Sequence, residues 1–162
     1  MWLPNRRTVL LGALALSGCG FSPVYGPESG ARGLLNAVEV DPPRDREGYL
    51  LVRHLEERLG RASQPTYALS IAIKLDEERM AITAENVATR YNLLGKATYA
   101  LRAREGGKVL SSGVVQSFTG YSTTGSTAAT RAAEQDATER LMVILGDQIV
   151  TRLMALELEP AT

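Results

Sequence analysis

Apolar side chains alternate with small or polar ones from Tyr67 to Asp76. Tyr67, Leu69, Ile71, Ile73 and Leu75 fall on one side, and Ala68, Ser70, Ala72, Lys74 and Asp76 on the other. Successive side chains of a strand point to opposite faces, so this period of two predicts a strand with one buried and one open face. Thr89 to Arg104 repeats the pattern, with Tyr91, Leu93, Ala97, Tyr99 and Leu101 set against Arg90, Asn92, Lys96, Thr98 and Arg102. Glu105-Gly106-Gly107-Lys108 reads as a hairpin turn, because glycine takes the positive φ such turns need, and Val109 to Tyr121 then returns antiparallel. Glu77-Glu78-Arg79 reads as a charged, solvated turn that ends the first of these strands. Leu94 and Phe118 interrupt the alternation and leave the register of the later two strands open.

Elsewhere the period is helical. Leu51, Val52, Leu55 and Leu59 recur at helix spacing behind Asp45, a side chain suited to an N-cap, and Gly60 offers a stop. A second stripe runs from Thr127 to about Leu158 through Ala129, Ala133, Ala137, Leu141, Leu145, Ile149, Leu153 and Leu156. Its first half shows only alanine, which suits a close approach to a sheet, and Gly146 within it marks a candidate bend. Ser126 or Thr127 as cap and an acidic outer face (Glu134, Asp136, Glu139) favour a core helix over one that lies on anionic lipid. Asn36 to Val40 is a short strand stopped by Asp41-Pro42-Pro43, since proline cannot donate to a ladder.

The order β-α-β-β-β-α predicts an α/β protein of the α+β two-layer sandwich type. A crossover through the first helix makes the first strand parallel to another, and the remaining strands form an antiparallel meander. Both helices then pack on one face of a mixed four-stranded sheet. The other face carries Ala68, Ser70, Ala72, Lys74, Asn92, Lys96 and Thr98, which need no burial.

The start of the chain has a different character. Arg6 and Arg7 precede the nine-residue run Thr8 to Leu16 (TVLLGALAL), followed by Ser17-Gly18 and Cys19, the single cysteine. A run this short cannot span a hydrocarbon core, which needs about 20 helical residues, so residues 1–18 read as a removable export signal. Leu16-Ser17-Gly18-Cys19 resembles the bacterial lipobox. That resemblance implies cleavage between Gly18 and Cys19, with a diacylglyceryl group on the thiol and an acyl group on the new amine. Gly20, where aspartate would imply inner-membrane retention, implies the outer membrane on its periplasmic side. Asn5 to Leu10 is loosely similar to a twin-arginine signal and leaves the export route open. Residues 19–33 are rich in Gly, Pro and Ser and form a lipidated tether before the domain of 34–162, with Phe21 and Tyr25 free to meet an interface or fold back.

Charge and residue inventory narrow the function. The full chain carries 18 basic and 18 acidic residues, and loss of Arg6 and Arg7 tips the mature part slightly acidic. A nucleic-acid binder would be strongly basic. With Cys19 lipidated no intrachain disulfide is possible, so packing alone holds the fold. His54 is the only histidine, and without a second His, a Cys or a suitably spaced carboxylate it reads as a packed or solvated residue and not a metal ligand. The glycines match neither the P-loop nor the dinucleotide spacing. No nucleophile and base pair is visible, so an enzyme is not expected, and no cofactor beyond the covalent lipid.

The lipobox followed by Gly20-Phe21-Ser22-Pro23-Val24-Tyr25-Gly26, the strand with Tyr91 and Tyr99, the hairpin Gly106-Gly107-Lys108-Val109-Leu110 and the Tyr121-Ser122-Thr123 junction into an alanine-rich helix resemble the LptE family of lipopolysaccharide-assembly lipoproteins, in its alphaproteobacterial form. The resemblance implies a domain that plugs the lumen of an LptD-like outer-membrane β-barrel and helps deliver lipopolysaccharide. Basic residues near strand ends, Arg79, Arg90 and Lys96, are then candidate contacts to its phosphates, because arginine binds phosphate through paired hydrogen bonds. A lipid-anchored auxiliary subunit of an ABC-type envelope lipid transporter is the rival reading.

Overall fold

The computed structural model describes residues 33–82 and 88–156. Within them the expected order is found: β1 (Val38–Val40), α1 (Arg46–Leu59), β2 (Tyr67–Ile82), β3 (Ala88–Ala103), β4 (Val109–Ser122) and α2 (Thr127–Met154). The strands form one sheet in the order β1-β2-β3-β4, with β1 parallel to β2 and the other pairs antiparallel. Gly106 and Gly107 at the tight turn have φ of 76° and 66°, which explains the choice of glycine there.

The odd-numbered residues of β2, β3 and β4 share the helix-covered face. Leu69 lies beside Leu101, Ile71 beside Tyr99, and Ile73 beside Ala97 and Val115. Against them pack Leu51, Leu55 and Leu59 of α1 and Ala137, Leu141, Leu145, Ile149 and Leu153 of α2, all buried. Asp45 caps α1, its Oδ1 accepting from the Gly48 N–H at 2.7 Å, and Ser126 caps α2 by accepting from the Ala129 N–H. Thr119, the buried polar side chain of the core, donates to the Ala137 carbonyl at 2.8 Å and so ties α2 to β4.

Three expectations are corrected. Glu77-Glu78-Arg79 is not a turn: β2 continues to Ile82 and keeps pairing with β3 as far as Ala88, with a bulge around Met80. From Asp76 to Met80 β2 is exposed on both sides, so charge replaces the apolar alternation that would mark a strand. The alanine half of α2 does not sit against the sheet: Ala129 is exposed, Ala133 half-buried, and Ala137 the first fully covered residue. With Ala137 level with Thr119, the ten preceding residues span about 15 Å of helix, while only Gly120 to Ser122 of β4 remain to cover them. Gly146, for its part, lies inside an unbroken helix and marks the place where α1 comes closest, His54 and Leu51 packing over it.

Candidate functional site

The even-numbered face of the sheet is open. Ala72, Lys74, Asp76, Lys96, Thr98, Arg102, Ser112, Gln116 and Phe118 are all exposed. The ladder arranges them in rows: Ala72 with Thr98 and Val114, Lys74 with Lys96 and Gln116, Asp76 with Leu94 and Phe118, Glu78 with Asn92 and Gly120. The two positions that broke the alternation are therefore cross-strand neighbours on the open face. Phe118 is 63 % exposed and Val114 38 %, which makes an apolar strip in a mostly polar surface.

Lys74 and Lys96 stand opposite one another, a like-charge pairing that destabilises a sheet. Lys74 is relieved by Asp76 at 2.9 Å, whereas Lys96 makes no ion pair among the described residues. A local conflict kept on an exposed face is the kind of rule-breaking that proteins retain where they bind something.

The three candidate cations do not form one cluster. Arg90 and Lys96 share the open face, but six residues of strand separate them, about 20 Å. Arg90 reaches across Gly120. Arg79 is in register with Tyr91 and so belongs to the helix-side face, past the cover of the helices. There the Tyr91 and Tyr121 rings stack with centroids 5.6 Å apart, and Tyr121 Oη donates to Glu77 Oε1 at 2.7 Å. Burial, and next the bond to Glu77, hold the Tyr121 proton well above the ordinary tyrosine range. Glu77 serves as an acceptor in this arrangement.

His54 is tucked between the helices, hydrogen-bonded to Asp147 Oδ1 at 3.0 Å, with Arg58 on the same carboxylate at 3.5 Å. No His, Cys, Asp and Glu group among the described residues has the geometry to hold a metal ion. What the open face offers chemically is hydrogen-bonding side chains, separated cations and an apolar strip. Gly18 and Cys19 lie outside the described residues. Sequence reading passed over Phe118, Leu94, Lys74 and Arg102 as site residues. Their signal was the parity of their positions, which is meaningless until a register assigns each residue to a face.

The sequence model of one protein family, LptE, lipopolysaccharide-assembly, matches residues 35–153. Among solved structures, a lipoprotein from Caulobacter crescentus is similar with a TM-score of 0.64 and 25 % identity, over 78 % of this chain and 93 % of that one. Rare lipoprotein B of Shewanella oneidensis shares the fold at 10 % identity, with a TM-score of 0.56 over 72 % of this chain and 91 % of that one. A minor lipoprotein of Acinetobacter baumannii shares it at 16 % identity, with a TM-score of 0.53 over 74 % and 91 %. No curated protein matches the sequence. With the family match spanning the four strands and both helices that cover one face of the sheet, this chain belongs to the LptE family of lipopolysaccharide-assembly proteins.

Proposed function

We propose that this protein is an outer-membrane lipoprotein on the periplasmic side that plugs and supports an LptD-type β-barrel in lipopolysaccharide transport and assembly. Cleavage between Gly18 and Cys19 leaves Cys19 as the lipidated first residue, and two or more acyl chains hold a domain firmly where one does so only marginally. The observation that carries the reading is the open face of the sheet. A domain seated in a water-lined barrel must satisfy polar groups through direct and water-mediated hydrogen bonds, and Thr98, Ser112, Gln116 and Asn92 supply them there. Leu94 and Phe118 give that face one apolar anchor of the kind that dominates interface energetics. Its work is positioning, without catalysis. Arg90 and Lys96 on this face, and Arg79 past the helices, donate to lipopolysaccharide phosphates as separate contacts.

Purification of the tagged mature protein from outer membranes tests the reading. A large β-barrel in stoichiometric amount is expected, and recovery of ABC-type transporter subunits in its place would overturn it. Charge reversal at Arg79, Arg90 and Lys96 together is expected to weaken lipopolysaccharide binding; unchanged binding removes those contacts and leaves the barrel reading standing.

A further inference from the structure

The two edges of the sheet are treated differently. On β4, Arg152 Nη1 donates to the Val114 carbonyl at 2.7 Å and Arg140 Nη2 to the Gly120 carbonyl at 3.3 Å, so side chains from α2 occupy backbone groups that a new strand would need. Blunting an edge in some such way is general, because a row of unpaired N–H and C=O groups is a template for another chain. On the opposite side β1 pairs with β2 only from Tyr67 to Leu69. The Asp41 N–H still donates to the Leu69 carbonyl at 2.9 Å, and Pro42-Pro43 then leave the ladder with no N–H to give. Among the described residues no strand pairs with this side of β2 beyond Leu69.

The identity of the open groups follows from the ladder. The Arg104 N–H donates to the Thr66 carbonyl, so the even-numbered backbone groups of β2 point toward β3. Bonding direction alternates along an antiparallel pair, which turns the groups of Ile71, Ile73, Leu75, Glu77 and Arg79 outward. Their side chains share the helix face, where Ile71, Ile73 and Leu75 are only partly buried. Beside them a cleft of about 820 Å³ runs from Pro42, Pro43 and Leu51 past Ile71 and Ile73 and on to Thr98 and Arg102 of the open face.

We propose that an extended segment of a second, different polypeptide adds to this edge as a further strand along residues 71–79. Main-chain hydrogen bonds supply affinity in such additions and alternate side chains supply choice of partner. The segment that fits has aliphatic side chains at alternate positions, seated beside Ile71, Ile73 and Leu75 next to the start of α1, followed by a basic residue where Glu77 lies on the same face. A second copy of this chain fits less well. Antiparallel self-pairing over the whole edge sets Arg79 against Ile71 and Glu77 against Ile73, so charged side chains face aliphatic ones across the new ladder. Sliding the register until no charge opposes an isoleucine leaves an overlap of residues 71–75 or of 75–79 only. The proposal goes beyond the plug reading and does not require the partner to be a barrel.

Amide hydrogen exchange, read by mass spectrometry at single residues, tests it on the full-length lipidated chain in native envelope membranes and on the same chain extracted, freed of every co-purifying protein and purified. The amides of Ile71, Ile73, Leu75 and Glu77 are expected to exchange at least tenfold more slowly in membranes, with the even-numbered amides of β2 slow in both samples. Equal rates at the odd positions would overturn the proposal. So would protection in the dilute purified chain, which assigns the edge to a segment of this chain, or protection that grows with concentration, which assigns it to a second copy. Ile73→Pro removes an outward N–H and no bond to β3; it is expected to keep the circular dichroism of the sheet and lose the membrane-dependent protection. Ile73→Lys, which keeps the backbone and charges the edge, is expected to do the same, and protection that survives both changes refutes strand addition. Recovery of a barrel on purification is scored separately, so failure here leaves the plug reading intact.

Discussion

Gly146 sets how closely the two helices approach. A Cβ there would stand 2.7 Å from His54 Cδ2 and 3.3 Å from Leu51 Cδ1. Alanine gains about 1 kcal/mol of helix propensity over glycine, but overpacking costs about 1–3 kcal/mol, so Gly146→Ala is expected to lower stability by about 1 kcal/mol. In a His54→Ala background the closer of the two contacts is gone and the cost of the same change shrinks toward zero, a non-additivity that urea unfolding of the four proteins would read. Tyr121 predicts a pH dependence. Its proton is held more tightly in the folded chain than in the unfolded one, so the stability it contributes is whole below the ordinary tyrosine range near 10 and declines as pH rises past it. Tyr121→Phe is expected to remove that alkaline decline and, by losing the bond to Glu77, to cost about 1 kcal/mol near neutrality; denaturant melts at pH 7 and above pH 10 separate the two effects.

In the sheet, the juxtaposition of Lys74 and Lys96 sets stability against the binding proposed for the open face. Lys96→Glu exchanges a cross-strand repulsion with Lys74 for an attraction, a change of about 0.2–1 kcal/mol, and removes a cation from the open face. It is expected to raise the urea midpoint while weakening lipopolysaccharide binding; a fall in both would show that Lys96 serves the fold. The short helix has a simpler dependence. Asp45→Ala deletes the cap bond to Gly48 and is expected to cost about 1 kcal/mol, with faster amide exchange at the first turn of α1 as its local signature.

On the proposed reading, anchoring and docking are separable in the assembled protein. Cys19→Ala is expected to abolish acyl labelling and free the domain from its lipid, while a barrel that grips the folded part would still be recovered with it. Phe118→Ser acts the opposite way. The side chain is exposed and touches no core, so stability is expected to change by less than about 0.5 kcal/mol, whereas recovery of the partner falls. Loss of stability without loss of partner would place the apolar strip outside the interface.

Much of this protein is written locally. The alternation of Tyr67 to Leu75 and the stripe of Leu51, Leu55 and Leu59 predict their elements because burial on one side only leaves a period in the chain. Asp45, Ser126 and Gly106-Gly107 punctuate those elements for reasons of backbone hydrogen bonding and φ that need no distant partner. Where burial stops, so does the signal: β2 from Asp76 to Met80 is wet on both faces, and Glu77 to Arg79 look like a turn because nothing there has to hide. The pairing of Leu94 with Phe118, the confrontation of Lys74 with Lys96, and the separation of Arg79, Arg90 and Lys96 depend on register, which couples residues far apart along the chain. The open edge of β2 is the plainest case. Pro42-Pro43 announce that β1 ends, but only the assembled sheet shows that no other described strand takes its place, because an edge is a property of neighbours and not of any one strand.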